Sequence, residues 1–69
     1  MNNEMAARLR VAADALHRAA QHCAAAAKLV DTGEVEPMAA RMLAARGDIL
    51  IATGDLDAVA LIHADQSQP

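Results

Sequence analysis

The feature that most constrains this chain is a continuous heptad pattern that covers residues 5–30. Larger apolar residues and alanines alternate at steps of four and three residues: Met5, Leu9, Ala12, Leu16, Ala19, Cys23, Ala26 and Val30. This spacing is typical of an α-helix that packs along one stripe against another helix. A neighbouring row contains only alanine, which allows close approach of a second helix: Ala6, Ala13, Ala20 and Ala27. The pattern predicts a long helix over about 4–31.

Turn residues divide the rest of the chain. Gly33 is expected to end the first helix in a left-handed conformation, and Asn2 or Asn3 to cap its start. A second helix over about 37–53 would begin with Pro37 at its first position. Its inner row continues the spacing of four and three: Met38, Met42, Ala45, Ile49 and Ala52. Gly54 then predicts a short third helix over about 56–65 and a frayed tail over 66–69, the alternative being one continuous second helix.

The predicted fold is all-α: an antiparallel helical hairpin in one domain, residues 1–65, dimerising into a four-helix-like assembly. The 69 residues include no Phe, Tyr or Trp, and 55% are hydrophobic, many of them alanine. A core of this size supplies little stability, and small scaffolds often compensate by association. We therefore expect a homodimer and a second protein as target. The predicted dimer or partner interface consists of Met5, Leu9, Val11, Leu16, Cys23, Leu29, Val30, Met38, Met42, Leu43, Ile51, Leu61 and Ile62.

Composition and charge narrow the environment and the partners. No apolar run approaches the roughly 20 residues that cross a bilayer, and no signal peptide is apparent. A single cysteine fits a reducing compartment, so we expect a cytoplasmic protein that binds no membrane. Net charge is −3 at pH 7, with four basic and two acidic residues in 1–30 and two basic and seven acidic residues in 31–69. The acidic balance argues against nucleic-acid binding. The uneven charge is interpreted as solvated faces with some attraction between antiparallel segments, the alternative being an acidic face that docks on a basic partner surface.

We expect no enzyme, no cofactor and no metal site. The hydroxyl side chains Thr32, Thr53 and Ser67 fall in predicted turns or the tail, and no glycine-rich phosphate loop exists. His17 and His22 are five residues apart and diverge on a helix, whereas paired histidine ligands are commonly four apart. Cys23 is interpreted as part of the apolar seam. A metal or thiol sensor that uses Cys23 and His22 is kept as a second alternative.

One local similarity concerns the residues around Gly54. The spacing Gly47, Leu50, Gly54, Asp55 is similar to the turn region of a tetratricopeptide repeat over about 20 residues. Arg46 and Val59 depart from that pattern. Only one unit fits in the chain, whereas such arrays need about three units to be stable. The segment is therefore interpreted as an ordinary helical hairpin.

In size, alanine content and absence of a catalytic motif, the chain resembles small helical inhibitors of bacteria and phages, such as the quorum-sensing anti-activators. The resemblance implies a regulator that binds and sequesters a transcriptional activator by covering its DNA-binding or dimerisation surface. The first alternative is a structural adaptor or co-chaperone that stabilises a partner subunit, as small helical hairpins do for secretion-system subunits.

Overall fold

The structure, a computed structural model, describes residues 3–67 as two antiparallel α-helices. Helix α1 is Asn3–Asp31 and helix α2 is Val35–Gln66. The described part of the chain contains no strand, so the predicted all-α helical hairpin is confirmed. It is elongated: the radius of gyration is 16.0 Å, whereas a compact domain of this length has about 11 Å. Two helices side by side therefore leave most of their surface without a covering layer.

A three-residue turn joins the helices through a Schellman motif. The Gly33 N–H donates to the Val30 carbonyl at 3.0 Å, and the Glu34 N–H donates to the Leu29 carbonyl at 2.9 Å. Gly33 has φ of 75°, as predicted from its position after Thr32. These bonds use carbonyl groups that the end of α1 leaves without helical partners.

Helix α2 begins two residues earlier than predicted. Because it starts at Val35, Pro37 is its third residue rather than its first. This position still lies in the first turn, where backbone N–H groups have no intrahelical acceptor, so proline costs no hydrogen bond. The first α-helical hydrogen bond of α2 joins the Met38 N–H to the Glu34 carbonyl at 3.2 Å. The suggested Asn2 cap lies outside the described residues, and Asn3 is already helical.

The break predicted at Gly54 does not occur, and α2 is the continuous helix of the alternative interpretation. Asp55, which could have capped a third helix, instead accepts a bond from the Arg8 guanidinium. Of the frayed tail predicted over 66–69, residues 68 and 69 lie outside the described residues. Gln66 ends α2, and the Ser67 N–H donates to the His63 carbonyl at 3.0 Å.

Each helix contributes two rows of residues to the seam. One row on each helix is as predicted, and the other consists of the residues that directly precede the predicted ones. On α1 the inward rows are Met5, Ala12, Ala19 and Ala26, as predicted, together with Arg8, Ala15, His22 and Leu29. On α2 they are Met38, Ala45, Ala52 and Val59 together with Arg41, Asp48, Asp55 and Ile62. All except the exposed Arg41 are buried or half-buried. The expected inward residues Leu9, Leu16, Cys23 and Val30 on α1, and Met42, Ile49 and Leu56 on α2, are exposed.

The buried core is made of alanine alone. Ala12, Ala15, Ala19, Ala45 and Ala52 are the buried hydrophobic residues, and no polar side chain of residues 3–67 is buried. Burial of one methyl group contributes about 0.8 kcal/mol, or about 4 kcal/mol for these five. The larger side chains at the two ends of the seam, such as Leu29 and Ile62, are only half-buried. The hairpin alone therefore buries little apolar surface.

Candidate protein-binding surfaces

Ion pairs between the helices define one side of the hairpin, here called the ion-pair side. The Arg8 guanidinium donates to Asp55 Oδ1 at 3.2 Å, and Arg18 donates to Asp48 Oδ1 at 3.1 Å. Asp48 and Asp55 occupy inward positions of α2, but their carboxylates reach out to this side. Opposite charges at seam positions select one alignment of two helices over others. These pairs set the antiparallel register.

His22 belongs to the ion-pair side and Cys23 does not. The Arg41 guanidinium donates to His22 Nδ1 at 3.1 Å, which requires the tautomer protonated at Nε2. That Nε2 lies 3.8 Å from Asp48 Oδ2. Cys23 is one residue further along the helix, hence rotated by about 100°, and is exposed. Among residues 3–67, no group of three or more His, Cys, Asp or Glu side chains is arranged to hold a metal ion.

The opposite side of the hairpin carries two rows of larger apolar residues and is here called the apolar side. The register set by the ion pairs brings Leu16 level with Ile49 and Val30 level with Val35, as the heptad geometry of antiparallel helices requires. The rows are Leu9, Leu16, Cys23 and Val30 on α1, and Val35, Met42, Ile49 and Leu56 on α2; all eight are exposed. Together they form a continuous two-row surface along the hairpin.

The rows next to the apolar side are small and nearly uncharged. On α1 the adjacent row is the alanine row from Ala6 to Ala27, and on α2 it is Ala39, Arg46, Thr53 and Ala60. Together with the apolar side these rows contain no carboxylate; Arg46 is their one charged residue. Exposure of such a surface to water is unfavourable in free energy, and its burial against another apolar surface desolvates few charged groups.

A third surface is the outer side of α2, the side that points away from α1. Leu50 and Leu61 are each 72% exposed, the highest values among the large apolar residues. Leu43 lies one heptad before Leu50 and is also exposed. Gly47 and Gly54 lie between them, and a Cβ at either glycine would meet nothing within 4 Å. The hairpin itself therefore gives no steric reason for these glycines.

The predicted interface residues divide among these surfaces. Met5, Leu29, Met38 and Ile62 are half-buried between the helices; Leu9, Leu16, Cys23, Val30 and Met42 lie on the apolar side; Leu43 and Leu61 on the outer side of α2; Val11 and Ile51 on the ion-pair side. The predicted set lacked Val35, Ile49, Leu50 and Leu56. The sequence signal for Ile49 and Leu56 was a second heptad stripe, displaced by one residue from the alanine seam. Leu50 lies on the outer side of α2, and Val35 falls before the predicted second helix.

Other features of the surface are minor. A shallow depression open to solvent lies near the end of α2, lined by Leu61, Ile62, Ala64 and Asp65. Neither helix in residues 3–67 combines the length and the hydropathy of a membrane-spanning segment.

Comparisons of the chain with protein-family models, with curated proteins and with solved structures gave no match.

Proposed function

We propose that this protein is a non-enzymatic regulator that works as a homodimer and binds and sequesters another protein. A transcriptional activator is the target class of the inhibitors that the chain resembles. The observation that supports this proposal most is the exposure of twelve large apolar side chains among residues 3–67. Exposed apolar side chains in this number on a small chain mark protein-interaction surfaces.

The outer side of α2 is the surface we assign to the target. Leu43 and Leu50 share a row with Glu36 and Asp57, so this apolar strip has acidic residues at both ends. A complementary partner has an apolar helix or groove flanked by lysine and arginine, because charge complementarity speeds encounter and excludes acidic competitors. A DNA-binding surface has this basic character.

The test begins with affinity capture from cells of the source organism and mass-spectrometric identification of the bound protein. The purified target is then titrated with the chain. We expect a stoichiometric complex and loss of DNA binding by the target. Leu50→Glu should abolish the complex but leave the oligomeric mass of the isolated protein unchanged. The control Gln21→Glu, at an exposed site on α1, should bind the target normally. A target that binds Leu50→Glu as tightly as the wild type would contradict the assignment.

A structural adaptor or co-chaperone remains a second candidate, favoured by the all-alanine core. Such a protein would depend on its partner subunit for stability and would be unfolded alone. Circular dichroism and analytical ultracentrifugation of the isolated chain separate the two proposals: a helical dimer supports the regulator, and an unfolded monomer supports the adaptor.

A further inference from the structure

We propose that the apolar side is the surface on which a second copy of this chain docks, forming a four-helix bundle with both interhelical turns at the same end. This inference rests on the proposed function, in which the active form is a homodimer, and it assigns the interface and the arrangement. It is supported by the position of the second apolar stripe, the size of the uncovered surface and the charges of the two helices.

Each helix has two heptad seams displaced by one residue. On α1 the first seam contains Ala12 and Ala15, and the second contains Ala13 and Leu16. On α2 the first seam contains Ala45 and Asp48, and the second contains Arg46 and Ile49. One residue corresponds to about 100° around a helix. A helix in a four-helix bundle contacts two neighbours in directions about 90° apart. Because the second seams of α1 and α2 lie on the same side, one hairpin presents half of such a bundle.

The uncovered surface has the size that a dimer requires. The hairpin exposes 5004 Å², whereas a compact monomer of 7.2 kDa exposes about 4100 Å². The excess of about 900 Å² is close to the roughly 800 Å² that each partner buries in a standard interface. The 57 × 15 Å extent of the molecule gives a face of similar area, about 850 Å².

Self-association suits this surface better than docking of a charged partner. The apolar side carries the same pattern on both helices, one larger residue in every seven, which makes it complementary to itself. A two-fold axis along the bundle makes each α1 contact the α2 of the second copy, in antiparallel orientation. Helix α1 has four basic and three acidic residues, and α2 has two basic and five acidic residues. The axis along the bundle therefore places the more basic helix α1 against the acidic helix α2. An axis across the bundle would instead place the two acidic α2 helices against each other.

Sedimentation equilibrium of three versions of the 69-residue chain tests the interface. The wild type should have twice the mass of 7.2 kDa. Leu16→Glu should reduce the mass to that of the monomer, because it places a carboxylate in the apolar side. Ile51→Glu is the matched control: Ile51 is 46% exposed and Leu16 47%, but Ile51 lies on the ion-pair side, so its variant should remain a dimer. A dimeric Leu16→Glu, or a monomeric Ile51→Glu, would overturn the assignment.

Distances between spin labels test the arrangement of the two hairpins, after sedimentation has shown that the labelled variant is still a dimer. Glu34→Cys in a Cys23→Ala background places one label at each turn. Same-end turns should give a label separation below about 30 Å, since neighbouring helix axes in a bundle are about 10 Å apart. A separation close to the 57 Å length of the hairpin would overturn the same-end arrangement. A monomeric wild type would instead contradict the homodimer of the proposed function, so the two failures are distinguishable.

Discussion

Single residues in this hairpin act mainly by selecting an alignment. Asp48 lies in the seam among the buried alanines, its side chain is only 12% exposed, and it accepts a bond from Arg18. A polar residue at a seam position reduces stability relative to an apolar one but excludes other registers. The ion pairs form only when the helices meet along the alanine seam, so they favour this seam and its register over the more apolar seam beside it.

Removal of one ion pair should have a measurable effect on stability. We expect Asp48→Asn to lower the free energy of unfolding by about 1 kcal/mol, because Arg18 is half-exposed and solvent screens the lost attraction. Urea denaturation at low and high salt measures the change, which should shrink as salt rises. Asp57→Asn is the control, since Asp57 is exposed on the outer side of α2. Equal effects of the two substitutions would show that the ion pair does not stabilise the fold.

Gly33 and Gly47 should respond in opposite directions to replacement by alanine. Gly33→Ala should lower the free energy of unfolding by about 1 kcal/mol, because a Cβ disfavours a φ of 75°. Gly47→Ala should raise it by about 0.5–1 kcal/mol, because Gly47 is inside α2 and its Cβ would enter open space. Thermal unfolding followed by circular dichroism measures both. A destabilised Gly47→Ala chain would indicate a contact that the hairpin alone does not contain.

At the scale of the helix, both elements are apolar on more sides than one neighbour can cover. Helix α1 presents alanine to α2 and leucine to solvent, and α2 has exposed leucine or isoleucine on three sides. A surface helix of a monomer normally has one apolar stripe. The excess stripes are the structural reason to assign α1 and α2 to an assembly.

The alanine seam should not accept larger residues. Ala15→Leu should lower the free energy of unfolding by about 1–3 kcal/mol, because Ala15 is 0% exposed and a longer side chain must push the helices apart. Ala24→Leu is the control, since Ala24 is exposed on the side of α1 opposite to α2. Urea denaturation distinguishes the two. If Ala15→Leu were as stable as the wild type, the close packing of the helices would not be a source of stability.

At the scale of the whole molecule, folding and association are expected to be coupled. An elongated hairpin with an all-alanine core has little stability of its own, and burial of the apolar side in a dimer would add to it. Binding between native chains stabilises them in proportion to the logarithm of their concentration.

The thermal midpoint should therefore rise with protein concentration. We expect a shift of several degrees over a hundred-fold range for the wild type, measured by circular dichroism. Leu16→Glu should have a lower midpoint that is independent of concentration. A wild-type thermal midpoint that does not change with protein concentration would mean that the hairpin folds without association.

The local sequence was sufficient for the helices and their turn. The repeating steps of four and three residues require helices with apolar stripes, and Gly33 ends the first helix because only glycine adopts its positive φ without strain. The break at Gly54 was wrong because an isolated glycine costs a helix only about 1 kcal/mol, less than the packing of α2 along α1 provides.

The periodicity of the sequence specifies an all-helical hairpin, whereas contacts between distant residues select the stripe that faces inward. Two seams one residue apart have the same spacing on both helices, so periodicity cannot choose between them. In the observed alignment Arg8 pairs with Asp55 and Arg18 with Asp48, partners 47 and 30 residues apart along the chain, which favours the alanine seam. Such contacts exist only once the helices are antiparallel and in register. With those pairs formed, alanine packs inside and the leucine rows remain outside.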